Sequence, residues 1–102
     1  MGEHKETFCE FYGYKEGDFI SDAITGEPAV DVHAICASGM GGNENMNRIE
    51  NLIPLTRSHH EFYGGPVQYK AMLYKLVLVM LIRSGKDFDM EWLMGQILKY
   101  EN

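Results

Sequence analysis

Apolar positions along this chain follow two different periods. From residue 66 onward the period is helical: Met72, Leu73, Leu76, Val77, Met80 and Leu81 make the i, i+1, i+4, i+5 stripe of a buried face. Pro66 opens this long helix, which runs to about Arg83, and Gly85 is its stop. A last helix begins near Asp87 or Asp89 and repeats apolar residues at Leu93, Ile97 and Tyr100, with Trp92 beside them. Upstream the period shortens. Residues 19–25 and 29–35 are two short β-prone runs separated by Gly26-Glu27-Pro28, which is a hairpin signal. Val30 and Val32 alternate with Asp31 and His33, so Asp31 and His33 share one face of the second run. Residues 52–55 read as a short edge strand, because Pro54 lacks the amide a central strand needs. Thr56 or Ser58 then caps a short helix through His59, His60, Phe62 and Tyr63, ended by Gly64 and Gly65. Residues 7–14 read as an irregular or helical lead-in. Residues 37–50, with Gly39, Gly41, Gly42 and three asparagines, read as a loop. The predicted class is α+β: a hairpin, a Gly-rich loop and a short helix, followed by two C-terminal helices.

Composition narrows the setting. A chain of 102 residues and 11.6 kDa supports a single domain, and 45% apolar with 24% charged residues is ordinary for a globular protein. The two cysteines, Cys9 and Cys36, form no C-x-x-C pair, so neither a disulfide framework nor a four-thiolate zinc site is expected. The first ten residues lack the apolar stretch of a secretory signal, and the longest apolar run, residues 76–82, is far short of the roughly 20 residues that span a bilayer. A cytoplasmic protein without a membrane partner is the expectation. The net charge of −6 argues against bulk electrostatic binding of nucleic acid. That charge is uneven, however. Residues 1–31 hold eight acids against two lysines, residues 32–86 hold six bases against three acids, and residues 87–102 hold four acids against one lysine. The middle of the chain is locally basic, as a polyanion site requires.

A hairpin closed onto a helix brings His33, Asn51, His59 and His60 towards one another. Imidazoles on a strand and on a helix can share one divalent metal. Such an ion can act as a Lewis acid on a phosphoryl oxygen. The plainer reading, that the four histidines are surface or packing residues, stays open on spacing alone.

The stretch Ala29-Val-Asp-Val-His33-Ala-Ile35, the run Gly39-Met-Gly-Gly42, and Arg48-Ile-Glu-Asn51-Leu-Ile-Pro-Leu-Thr-Arg-Ser-His-His60-Glu-Phe-Tyr-Gly64 together resemble the HNH, or His-Me finger, endonuclease family, and small bacteriophage members of it in particular. The resemblance covers about residues 21–64, leaving 66–102 as a helical extension. It implies a ββα-metal core with one divalent ion (Mg, Mn, Zn or Ni) held by His33 and His60, and Asn51 bonded across the loop to fix its shape. It implies double-stranded DNA as the partner, with Arg48 and Arg57 as phosphate contacts. Asp31 would stand behind the metal or be a third ligand. The family's general base is a second histidine directly after the first, and here that position is Ala34. Ser38 departs from the pattern as well, standing where similar proteins have arginine.

Three explanations compete for Ala34: an engineered change, a naturally degenerate nuclease, or a shifted mechanism in which His59 or metal-bound hydroxide serves as base. Helical neighbours point about 100° apart, which turns His59 away from His60. The zinc knuckles that often flank the motif cannot form, since Thr56 and His59 occupy the downstream thiol positions. Leu78, Val79 and Ile82 lie off the main stripe of the long helix, which suits either a homodimer through the C-terminal helices or cover by the last helix. The expected function is thus metal-dependent DNA hydrolysis, impaired at Ala34. The alternative is an inactive HNH-fold module that binds nucleic acid or protein.

Overall fold

In the computed structural model, residues 2–36 and 47–101 are described. The expected Gly-rich loop, with Ser38, falls largely outside them. The fold is α+β, with one antiparallel strand pair and, among the described residues, four α-helices. Strand β1 (Asp31–Ala34) pairs with β2 (Leu52–Leu55) in the register Asp31↔Leu55, Val32↔Pro54, His33↔Ile53 and Ala34↔Leu52. Further backbone bonds extend the ladder at both ends, from Val30 N to Leu55 O (3.1 Å) and from Ile35 N to Asn51 O (2.9 Å).

The partner of β1 is therefore not residues 19–25, as the hairpin signal predicted. Those residues contribute only an isolated bridge, Ser21 with Pro28. The cause is Asp22. Its carboxylate accepts the amides of Ile24 (2.7 Å) and Thr25 (2.9 Å), a local turn that competes with an extended strand. Pro54 has no amide to donate, and its carbonyl accepts from Ala23 N at 2.9 Å.

Asp22 also ties this turn to the rest of the core. Its side chain is fully buried and accepts from Thr56 N (2.7 Å) and from His59 Nδ1 (2.8 Å). Burial pushes the carboxyl up, but the bonds from His59 and the Thr56, Thr25 and Ile24 amides outweigh it, and the net shift is downward. A carboxyl depressed by folding stabilises above its unfolded value near pH 4, and that stabilisation is lost as pH falls through the folded value. Urea unfolding across a pH series should therefore show an acid limb below about pH 4 that is shallower in Asp22→Asn. The variant should also lose about 1–3 kcal/mol at pH 7, since an amide oxygen replaces only part of the acceptor set. An unchanged limb would rule out this role.

The lead-in is helical and starts earlier than residue 7: helix α1 (Glu3–Tyr12) stops at Gly13, which adopts φ +82° and donates to Cys9 O at 2.9 Å. It buries Phe8 fully, in a cluster with Ala34 and Leu52. Helix α2 (Arg57–Tyr63) is capped by Thr56, whose Oγ1 accepts from His59 N at 3.1 Å. After Pro66 a 3-10 turn leads into α3 (Lys70–Ser84), ended by Gly85 at φ +71°, and Asp89 caps α4 (Met90–Tyr100) through Trp92 N. Leu73, Val77 and Leu81 of the predicted stripe are fully buried, Met72 and Leu76 pack against their cluster, and Met80 packs against that of Phe8, Ala34 and Leu52. Leu78 packs against the core, whereas Val79, Ile82 and Leu98 are exposed. Among the described residues no single helix is long and apolar enough to cross a membrane.

Candidate functional site

The strand pair, α2 and the turn after it enclose a cleft of about 620 Å³. Asp31 and His33 reach it from one face of β1, as alternation predicts. Arg57, His60 and Glu61 come from α2, Gly64 and Gly65 from the turn, and Lys70 from the start of α3. His33 and His60 stand side by side, with ring centroids 4.6 Å apart and planes inclined by 50°.

Their hydrogen bonds fix which nitrogens hold protons. The carbonyl of Gly64 can only accept, so His33 donates from Nε2 (3.0 Å) and keeps a lone pair on Nδ1. Asp31 acts likewise on His60, accepting from Nδ1 at 3.0 Å, so that in the neutral ring the lone pair lies on Nε2. Burial, and after it the neighbouring His60, pushes the His33 imidazole down to about 4 despite the Gly64 carbonyl, so the ring is neutral at pH 7. The Asp31 carboxyl is held below the usual range by the His60 bond and then by Arg57, whose Nε donates at 2.9 Å, against some burial. A histidine backed by an oxygen acceptor on one nitrogen and bare on the other is the arrangement that metal-binding histidines use.

Gly64 is required where it lies. A Cβ there would sit 2.4 Å from His60 O, 2.9 Å from His60 Cδ2 and 3.2 Å from His33 Cε1. The glycine allows the turn to close over both rings and present its carbonyl to His33.

Asn51 does not line the cleft. It is fully buried, and its Oδ1 accepts from Cys36 N (3.0 Å) and Tyr74 Oη (2.7 Å) while Nδ2 donates to Cys36 O (3.2 Å). These bonds join the two chain segments at the neck of the loop. Burial pushes the Tyr74 phenol upward and keeps it protonated as a donor.

The remaining sequence candidates fall elsewhere. His59 turns away from His60 and bonds Asp22, which removes it as a base for the cleft. Arg48 also lies outside the cleft lining. It pairs with Glu50 (3.0 Å) and Asp89 (2.9 Å) and stacks over Trp92 at 4.2 Å. Arg57 does line the cleft, and its side chain is 68% exposed. Ala34 faces away from His33 and is buried with Phe8 and Leu52. Asp31 accepts from both His60 and Arg57. Among the described residues no group of three or more His, Cys, Asp or Glu side chains is placed to hold a metal ion.

Three residues escaped the sequence reading. Lys70 lines the cleft and donates from Nζ to Ile35 O at 2.5 Å. Its place at the entry of α3 was legible, but its approach to β1 was not. Asp22 carried a signal, the Asp-x-x-Thr spacing of a side-chain turn. His4, which α1 brings beside Asp31 and His60, carried none, since nothing in the sequence seats α1 beside β1. The chain matches no family model, no curated protein and no solved structure.

Proposed function

We propose that the chain is a divalent-metal-dependent phosphodiester hydrolase acting on DNA, with β1, β2 and α2 as a ββα-metal core of the HNH type. The observation that carries this reading is the pairing of His33 and His60 in one cleft, each with one nitrogen engaged by an oxygen acceptor. Those two side chains would hold the ion. Two imidazoles suit Mn, Ni or Zn, and with the rest of the shell left to water and phosphate oxygens they also accommodate Mg. When bound, the ion would polarise a phosphoryl oxygen and stabilise the leaving oxygen. Arg57 and Lys70 flank the cleft and would position the phosphate backbone, which fixes register without reading sequence. The exposed Val79, Ile82 and Leu98 support a homodimer through the C-terminal helices, which would bring two sites to one duplex.

One observation favours the second reading, an inactive module that binds nucleic acid or protein. Position 34 holds no imidazole and is packed into the core. Conversion of supercoiled plasmid to nicked circles, with Mg²⁺, Mn²⁺, Ni²⁺ or Zn²⁺ supplied singly, separates the two. Cutting is expected with at least one ion, and His33→Ala and His60→Ala should each abolish both cutting and retention of metal. Metal retained equally by the wild type and both variants would overturn the site, and a wild type that never cuts would leave the binding module as the function.

A further inference from the structure

We propose that His4 is the general base of this site, an imidazole brought by α1 to do what the residue at position 34 cannot. The inference rests on the nuclease reading and adds a residue to it. His4 is half-buried, and with Asp31 and His60 it lines a hollow of about 270 Å³ alongside the main cleft.

The tautomer of His4 is also set by its surroundings. Asn47 donates from Nδ2 to Thr7 Oγ1 (2.7 Å), which turns its Oδ1 towards His4. That oxygen accepts from His4 Nδ1 at 2.9 Å. The proton is thereby assigned to Nδ1, and Nε2 is left with a lone pair. A third group that orients an imidazole in this way is the usual companion of a histidine base. Asn47 is thus a positioning residue. The other imidazoles are committed elsewhere: His33 and His60 to the paired site, His59 to Asp22.

The small side chain at position 34 is part of the same arrangement. Ala34 and Phe8 occupy one buried cluster, and Phe8 is the residue that anchors α1. Alanine leaves room for the phenyl ring, and the docked helix carries His4 to the hollow. In the hydrolysis, His4 Nε2 takes a proton from a water molecule as the water oxygen bonds to phosphorus. The bond from phosphorus to the leaving sugar oxygen breaks, that oxygen keeps the electron pair and takes a proton from solvent, and His4 returns its proton to solvent.

Two measurements test this. Long-range proton–nitrogen NMR spectra of the metal-free full chain at pH 8 should show His4 protonated at Nδ1 and bare at Nε2, with Asn47→Ala losing that preference. A His4 protonated at Nε2 in the wild type would overturn the proposal. In the plasmid assay His4→Ala should cut about 10²–10⁴-fold more slowly, while retaining Mn²⁺ as the wild type does. Added imidazole should restore part of the rate, which a merely structural defect would not allow. Cutting unchanged in His4→Ala overturns the inference alone. A wild type that retains Mn²⁺ through His33 and His60 and never cuts overturns the nuclease reading, and this inference with it.

Discussion

Replacing Asn51 with alanine should cost about 3–5 kcal/mol of unfolding free energy, a large part of the total stability of a domain this small. The substitution strands three polar groups at once: the Cys36 amide, the Cys36 carbonyl and the Tyr74 hydroxyl. Each buried group left without a partner costs about 1–3 kcal/mol, and partial solvation at the loop neck keeps the sum below the maximum. Tyr74→Phe removes only one of these bonds and should cost about 1 kcal/mol. The two losses should not add, because the Tyr74 hydroxyl has already lost its acceptor in Asn51→Ala. Urea unfolding of the two single variants and the double variant measures the coupling. Strict additivity would mean that Asn51 does not work through this network.

Ala34→His is the second large effect, and its sign runs against the family pattern. In the HNH resemblance this change restores the missing base. In the structure, Ala34 is 5% exposed and shares a buried cluster with Phe8 and Leu52. An imidazole there overfills packed space, at about 1–3 kcal/mol, and buries polar nitrogens that have no partner, at about 1–3 kcal/mol more. We expect Ala34→His to lower the urea midpoint and to leave plasmid nicking no faster than the wild type. A variant that is as stable as the wild type and cuts at least tenfold faster would show that position 34 opens to the cleft and that α1 yields to it.

The sequence carried the local signals well and the long-range ones poorly. Helices α3 and α4 were legible because a 3.6-residue stripe, a proline entry and a glycine stop act within one segment. Asp31 and His33 were placed on one face by strand alternation alone, and His59 was turned from His60 by the pitch of α2. The strand partner was misread, because two β-prone runs joined by a Gly-Glu-Pro turn look like a hairpin until the side chain of Asp22 is seen to capture its own backbone. Pairing between residues 31–34 and 52–55 spans a loop whose length leaves no periodic trace. Lys70 was passed over and Arg48 singled out for the same reason. Both are single bases in a basic stretch, and only packing decides that one meets Glu50, Asp89 and Trp92 while the other meets the cleft.

The burial of Phe8 has a consequence for timing as well as for stability. A helix of ten residues is marginal in water by itself, so α1 stays formed mainly because its apolar side chains pack on the core, with the Phe8 ring seated against β1 and β2. His4 lies one turn from that ring. The share of molecules with the imidazole in place at any instant is then set by the local opening free energy of α1, which can differ from the global value. Catalytic competence and N-terminal fraying become two readings of one equilibrium, and a site whose other two histidines sit on firmly packed elements would be gated by its least secured segment.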